Sequence, residues 1–591
     1  MTEDNLAPQT IPGPFVDVHI ASAATICPIA GSLDRNSVLQ AADVLDPCCD
    51  GWKRVAIIRT PGTDRISYGG ARTPLTATLM FAAVKHRSGI LSGHPDPNSG
   101  RRALGFVQRE GNCALPANFT GDLRGPSRAL PHFWEHTVGS GHATLGLRAD
   151  WQLQLQRVHN ELGMQHVRFH GLLSDDTGTL VCENDQFLYS YFNADQIFDF
   201  LLSIGMKPFV ELSFMPSALS SGSQTVFHYR ANVTAPKEYA QWSVLIRRLV
   251  NHWCERYGRD EVRRWFFEVW NEPNLTAFGS GKQTDYFELY RYTVQAIKGV
   301  DSALRVGGPA TAANAWIDDF IAFCRGNGLA ADFITTHHYP TDAFGLPDDD
   351  TETQLSESKR SVLREEAREV RQQAGDLPVY YTEWCTSSNP RDPMHDDPYA
   401  AAFIVKTVLE AHGLVQGYSY WTFSDIFEEN YFPSVPFHGG FGLLNIHGIA
   451  KPSYRAFELL HGLGTELMKV VGAHATVDAW LVRGGGVATV LLTNFALPRH
   501  PITTESVRLS LRGAKPVSQA TIQRIDSEHA NAKPHWEQMG KPEYLSAAMV
   551  AELNAVSRLR KDAQPITFDD GILRVELTMP PQSVAAIALV Y

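Results

Sequence analysis

Between about residue 130 and residue 465, short apolar runs rich in β-branched and aromatic residues alternate with stretches whose apolar positions recur at helical period. The pattern predicts strands at 133–138, 166–170, 207–213, 265–270, 304–308, 332–337, 379–383 and 417–422. Helices are predicted between them at 150–162, 193–204, 236–257, 285–300, 315–325, 356–373 and 398–412, with a last one from Ser453. Eight strands, each followed by a helix, are the arithmetic of an α/β fold of the (β/α)8 TIM-barrel type, which carries catalytic groups at the C-terminal ends of its strands. A doubly wound sheet needs a glycine-rich first turn, and the sequence has none.

Beyond about residue 465 the period shortens to strands at 475–482, 487–494, 507–511, 519–525, 572–577 and 584–591. This is the pattern of an accessory β-sandwich, broken here by a loop at 526–541 and a helix at 543–558. The barrel is therefore assigned to 131–465 and the sandwich to 466–591. Residues 1–115 follow neither pattern. They are crowded with Pro, Gly and Ser, as in Ser92-Gly93-His94-Pro95-Asp96-Pro97, and read as a poorly structured N-terminal extension.

Charge sharpens that boundary. Residues 1–130 carry 13 Lys and Arg against 11 Asp and Glu, while the whole chain of 591 residues has a net charge of −12. A field of that sign repels phosphate backbones and anionic lipid, so neither nucleic acid nor a membrane surface is an expected partner. A homo-oligomer stays open. Of the 8 cysteines, the one adjacent pair, Cys48-Cys49, lacks the two-residue gap of a zinc or redox motif, so free thiols are expected. The acidic opening Met1-Thr2-Glu3-Asp4 and the lack of a long apolar run point to the cytoplasm, which leaves the sequons at Asn118, Asn232 and Asn274 without consequence.

Two predicted strands end in chemistry. Phe266-Phe267-Glu268-Val269-Trp270-Asn271-Glu272-Pro273 is an apolar strand stopped by proline just past a glutamate, which places Asn271 and Glu272 on the rim of strand four. A carboxylic acid flanked by aromatics is partly desolvated, keeps its proton longer and can donate it. At strand seven, Val379-Tyr380-Tyr381-Thr382-Glu383-Trp384 repeats the arrangement with Glu383. Two rim carboxylates facing one cavity are what glycoside hydrolysis needs: one protonates the leaving oxygen, the other attacks the anomeric carbon or activates water.

Trp270-Asn271-Glu272-Pro273 with Thr382-Glu383-Trp384 resembles the clan A retaining glycosidases. The neighbouring His132-Phe133-Trp134-Glu135, Gly139-Ser140-Gly141-His142, Val167-Arg168-Phe169-His170-Gly171, Thr336-His337-His338-Tyr339-Pro340 and Trp421-Thr422-Phe423-Ser424-Asp425 narrow the resemblance to the β-xylosidases of glycoside hydrolase family 39. It runs from about residue 117 to the C-terminus, and it implies that a short strand within 116–130 joins the sandwich before the chain enters the barrel. It further implies Glu272 as general acid/base, Glu383 as nucleophile and Asn271 as the partner of the sugar 2-hydroxyl. His337 and Tyr339 would then lie near the nucleophile, and Trp421, Glu428 and Glu429 would border the sugar.

Arg168 and His170, two apart on one strand, share a face and are expected to point at the nucleophile and sugar hydroxyls. Glu428 and Glu429 suit a neutral pentose and would repel a uronic acid, which argues against the iduronidase branch of the family. His337 and His338 point to opposite faces of their strand, so no metal site is expected, and no cofactor is implied. Gly279-Ser280-Gly281-Lys282 lacks the first glycine of a P-loop, and neither HExxH nor GxSxG occurs. The expected activity is thus a retaining β-D-xylosidase acting on xylo-oligosaccharides. Its rivals are the same fold with another glycone and a non-catalytic carbohydrate-binding protein.

Overall fold

In a computed structural model of the chain, residues 116–341, 350–429, 431 and 433–591 are described, together with the backbone of two strands, Val38–Leu45 and Trp52–Arg59. These two strands pair antiparallel. The rest of that stretch lies outside the described residues. The chain divides into two units, Met1–Glu110 and Gly111–Tyr591.

Within the second unit, eight strands close into a barrel in sequence order. They are β1 (Thr137–His142), β2 (His166–His170), β3 (Lys207–Leu212), β4 (Phe266–Val269), β5 (Arg305–Thr311), β6 (Phe333–His337), β7 (Val379–Trp384) and β8 (Gly417–Tyr420). Every neighbouring pair is parallel. The (β/α)8 architecture is therefore observed. The helices outside present one apolar stripe inward, as in Val362–Ala374, which buries Leu363, Ala367, Val370 and Ala374 at helical spacing.

Three boundaries differ from expectation for physical reasons. The first strand begins after the buried 3-10 turn Phe133–Glu135 and runs on through Gly139-Ser140-Gly141, residues that hydrophobic period cannot flag. Gly139 is needed there, because a Cβ would stand 2.5 Å from Trp421 Cε3. The helix expected at 356–373 is two, Thr351–Glu357 and Val362–Ala374. In the break between them Arg360 reaches out to Phe495 O at 3.0 Å and to Asp478 Oδ2 at 2.7 Å, anchoring the turn to the C-terminal strands. Finally, the loop at 526–541 contains a helix, Lys533–Gln538, and the next helix is the shorter Ala547–Val556, capped by the Ser546 hydroxyl.

Beyond the barrel and two short hairpins, Leu180–Glu183 with Gln186–Tyr189 and Thr225–Val226 with Ala231–Asn232, the strands of this unit form a seven-stranded and a five-stranded sheet. Ala117–Asp122 joins the smaller sheet by pairing parallel with Glu505–Arg512, and Ser127–Ala129 joins the larger one beside Glu466–Met468. Phe119, Leu509 and Val575 from one sheet and Leu481, Val490 and Ile587 from the other share one buried cluster, so the sheets pack face to face. Helix Pro398–Glu410 is buried on nearly every side because it lies between barrel and sandwich, with the Phe403 ring 5.8 Å from that of Phe495.

Candidate active site

The turn after β4 is held in an unusual backbone state. Trp270 has φ +72° and Glu272 φ +42°, a region that costs a side-chain-bearing residue energy and recurs at functional sites. Three bonds hold it: Glu272 N–H to Ala310 O at 2.8 Å, Leu275 N–H to Glu272 O at 3.0 Å, and the Trp270 indole N–H to Phe278 O at 2.7 Å. The strained turn presents Asn271 and Glu272 at the mouth of the barrel.

Beneath them lies a charge network centred on Arg168, which is fully buried. Its Nε donates to Glu268 Oε2 at 2.5 Å and its Nη1 to Glu383 Oε1 at 2.7 Å. Its Nη2 lies 2.9 Å from Asn271 Oδ1 and 2.8 Å from Glu211 Oε2. Strand register explains the need: Glu211 and Glu268 are direct neighbours on β3 and β4, and two buried carboxylates side by side require a cation between them. Burial alone would lower the basicity of Arg168, but Glu211, Glu268 and Glu383 outweigh it and hold the guanidinium charged.

His170 is the second cation. Its Nδ1 lies 2.7 Å from Glu211 Oε2, while its Nε2 stands 3.5 Å from Glu383 Oε1 and 3.6 Å from Glu429 Oε1. Burial works against its charge, yet Glu211, Glu429 and Glu383 push it up to about 9. Glu429 shifts upward too, which favours its neutral form. Burial drives it up, its neighbour carboxylates add to this, and despite His170 it reaches about 8. Its Oε1 is buried without a hydrogen-bond partner. Tyr339 OH donates to Glu383 Oε2 at 2.9 Å, and His337 bridges Glu272 Oε1 at 3.0 Å and Thr382 Oγ1 at 3.1 Å.

One oxygen each of Glu272 and Glu383 and one ring nitrogen of His337 lie within 4.8 Å of one another. Such a trio has the size to hold a metal ion, but the Arg168 guanidinium already places a positive charge 2.7 Å from Glu383 and would oppose a divalent cation. Two carboxyls at this separation suit direct attack on a sugar held between them, since retaining enzymes need about 5–5.5 Å and inverting ones leave room for a water at about 6.5–9.5 Å.

Asn271, Glu272, Glu383, His170, Tyr339, Trp421 and Glu429 line a single cavity of about 750 Å3. Arg168 and His337 stand directly behind that lining. Glu428 is not brought to the cavity: its carboxylate turns 2.6 Å from His142 Nδ1, whose ring stacks on Tyr229 with centroids 3.8 Å apart. His338 borders the cavity and contacts Asn314. Sequence reasoning missed Glu211 and Glu268 as members of the network, along with the apolar wall of Phe227 and Phe278. Val210-Glu211-Leu212 and Phe267-Glu268-Val269 carried a signal, because an acid inside an apolar strand must find a partner.

A barrel of this kind with two carboxylates at the ends of strands four and seven defines a glycoside-cleaving enzyme. Residues 122–573 match the model of the Glycosyl hydrolases family 39, and the chain belongs to that family. It is 48% identical over 470 residues to a β-xylosidase of Caldicellulosiruptor saccharolyticus, covering 77% of this chain and 95% of the relative. A β-xylosidase of Geobacillus stearothermophilus is 36% identical over 474 residues, covering 77% and 92%. The crystal structure of a monomeric β-xylosidase from Caulobacter crescentus CB15 superposes with TM-score 0.72 at 36% identity, covering 80% of this chain and 99% of that one.

Proposed function

We propose that the chain is a retaining β-D-xylosidase that removes single xylose units from the non-reducing ends of xylo-oligosaccharides. The observation that carries the reading is the approach of Glu272 and Glu383 to within 4.8 Å, with the Arg168 guanidinium on Glu383 and His337 on Glu272. In the first half-reaction Glu383 attacks C1 while Glu272 gives its proton to the glycosidic oxygen, breaking the C1–O bond. In the second, Glu272 takes a proton from water, whose oxygen displaces Glu383 from C1. Asn271, its Oδ1 engaged by Arg168, offers its amide N–H to the sugar 2-hydroxyl, a contact that tightens as positive charge develops on the ring. The chemistry needs water and no cofactor.

Glu429 supports a neutral glycone: its unpartnered carboxyl oxygen in the cavity wall suits sugar hydroxyls, whereas a uronate there would face the Glu383 carboxylate. Residues 116–591 form the working unit on this reading, with 1–115 as an extension. A cytoplasmic site of action on soluble oligosaccharides is supported by the four described cysteines, Cys182, Cys254, Cys324 and Cys385, all free thiols. Among the described residues no helix is long and apolar enough to cross a membrane. Specific activity on p-nitrophenyl β-D-xyloside, β-D-glucoside, α-L-arabinoside and α-L-iduronide tests the assignment. Preference for the xyloside is expected, and preference for the uronide would overturn the reading of Glu429.

A further inference from the structure

We infer that Thr382 and Glu268 are positioning residues that fix the tautomer of His337 and thereby keep the catalytic proton on Glu272. The inference rests on the acid/base role proposed for Glu272 and follows from counting hydrogens along one chain of contacts. Arg168 Nε donates to Glu268 Oε2, and the Thr382 hydroxyl donates to Glu268 Oε1 at 2.7 Å. A hydroxyl has one proton to give. With that proton spent on Glu268, Thr382 Oγ1 offers only lone pairs to His337 Nε2, 3.1 Å away, so Nε2 must carry the ring hydrogen.

The other nitrogen is then bare. Burial, reinforced by Arg168, pushes His337 down to about 4 in spite of the carboxylates around it, so the ring holds a single proton near neutral pH. Its Nδ1 faces Glu272 Oε1 at 3.0 Å and Glu383 Oε2 at 3.6 Å. A lone pair aimed at two ionised carboxylates is repulsive, and a proton on Glu272 turns the shorter contact into an O–H···N hydrogen bond. Glu383 needs no such proton, because Arg168 and Tyr339 already donate to it. The groups that face His337 are Arg168 from β2, Glu211 from β3, Glu268 and Glu272 on and after β4, Thr382 and Glu383 from β7, and Tyr339 just beyond its own strand. Of these, only Thr382 and Glu272 contact its nitrogens at hydrogen-bond distance.

The arrangement therefore separates two chemically identical side chains into an acid and a nucleophile. It also serves the second half-reaction. Once Glu272 has lost its proton to the leaving oxygen, its carboxylate confronts the bare Nδ1, which increases its demand for the proton of the incoming water.

The test is Thr382→Val, which keeps the shape and removes the hydroxyl, read on phenyl and 2,4-dinitrophenyl β-D-xylosides across pH. With Nε2 released, His337 can adopt the Nδ1–H tautomer and stabilise ionised Glu272. The alkaline limb of kcat/KM for the phenyl glycoside is expected to move down by about one pH unit, with about a ten-fold loss at neutral pH. The dinitrophenyl substrate, whose leaving group needs no proton, should change by less than about two-fold. Thr382→Ser should restore the phenyl profile. Equal losses on both substrates with an unmoved limb would overturn the proposal. Neutron diffraction from crystals of the unmodified protein decides the matter without any variant: deuterium on His337 Nε2 and on Glu272 is expected, and deuterium on Nδ1 would contradict it. Failure of the acid/base assignment itself would show differently, as undiminished turnover of phenyl xyloside by Glu272→Gln.

Discussion

The barrel interior has two layers made by the same strands. On β2, β3 and β4 the inward positions are His166 then Arg168, Phe209 then Glu211, and Phe266 then Glu268. Each step of two residues climbs about 6.6 Å on one face. The lower layer is aromatic: the rings of Phe209 and Phe266 stack at 5.0 Å, those of His136 and His166 at 4.5 Å, and Arg305 lies 3.7 Å over Phe266. The upper layer is charged. Histidine itself records the change, since burial holds His166 down to about 4 while the carboxylates around His170 lift it to about 9. One layer is built for packing and the next, two residues away, for chemistry, so substitutions in them should fail in different ways.

The largest expected effect is in the upper layer. Glu383→Ala should lower kcat on xylobiose by at least about a thousand-fold while leaving the thermal unfolding midpoint within a few degrees, because losing the proposed nucleophile removes the covalent route entirely. In the lower layer, Phe266→Ala should reverse the signature. A cavity in the aromatic cluster should cost about 3–5 kcal/mol in urea unfolding, while kcat/KM of the protein that remains folded stays within about three-fold. A collapse of activity with unchanged stability in Phe266→Ala would break the division.

The smallest effect is a pH dependence. His166 is held below its unfolded value, so the unfolded chain binds a proton on it that the native chain refuses, and stability is fully present above about 6.5 and declines as pH falls towards about 4. His170 has the opposite sign: its contribution is full below about 6.5 and is lost as pH rises through about 9. Urea midpoints should therefore decline at both ends. A His170→Gln variant should flatten only the alkaline side, and flattening of the acid side instead would reverse the assignment.

Much of this was legible in the sequence because strand ends in a barrel converge whatever the chain between them does. Glu272 and Glu383 are readable as rim carboxylates because each closes an apolar strand pattern, at 266–270 and 379–382, and the two occur together; the eight strands are readable from period. What stayed hidden depended on neighbours distant in sequence. Glu211 and Glu268 are paired by strand register, which no local pattern encodes. Glu428 and Glu429 are adjacent in the chain, yet one turns to His142 and the other to the cavity. The predicted first strand stops at 138, whereas Gly139 continues it and makes room for Trp421.

The central claim is that Glu272 and Glu383 stand close enough for double displacement. NMR of the anomeric proton in the first-formed product of p-nitrophenyl β-D-xyloside hydrolysis tests it directly. β-Xylose is the expected product, from two inversions through a xylosyl-Glu383 intermediate. α-Xylose would mean a single inversion by water and would contradict the account.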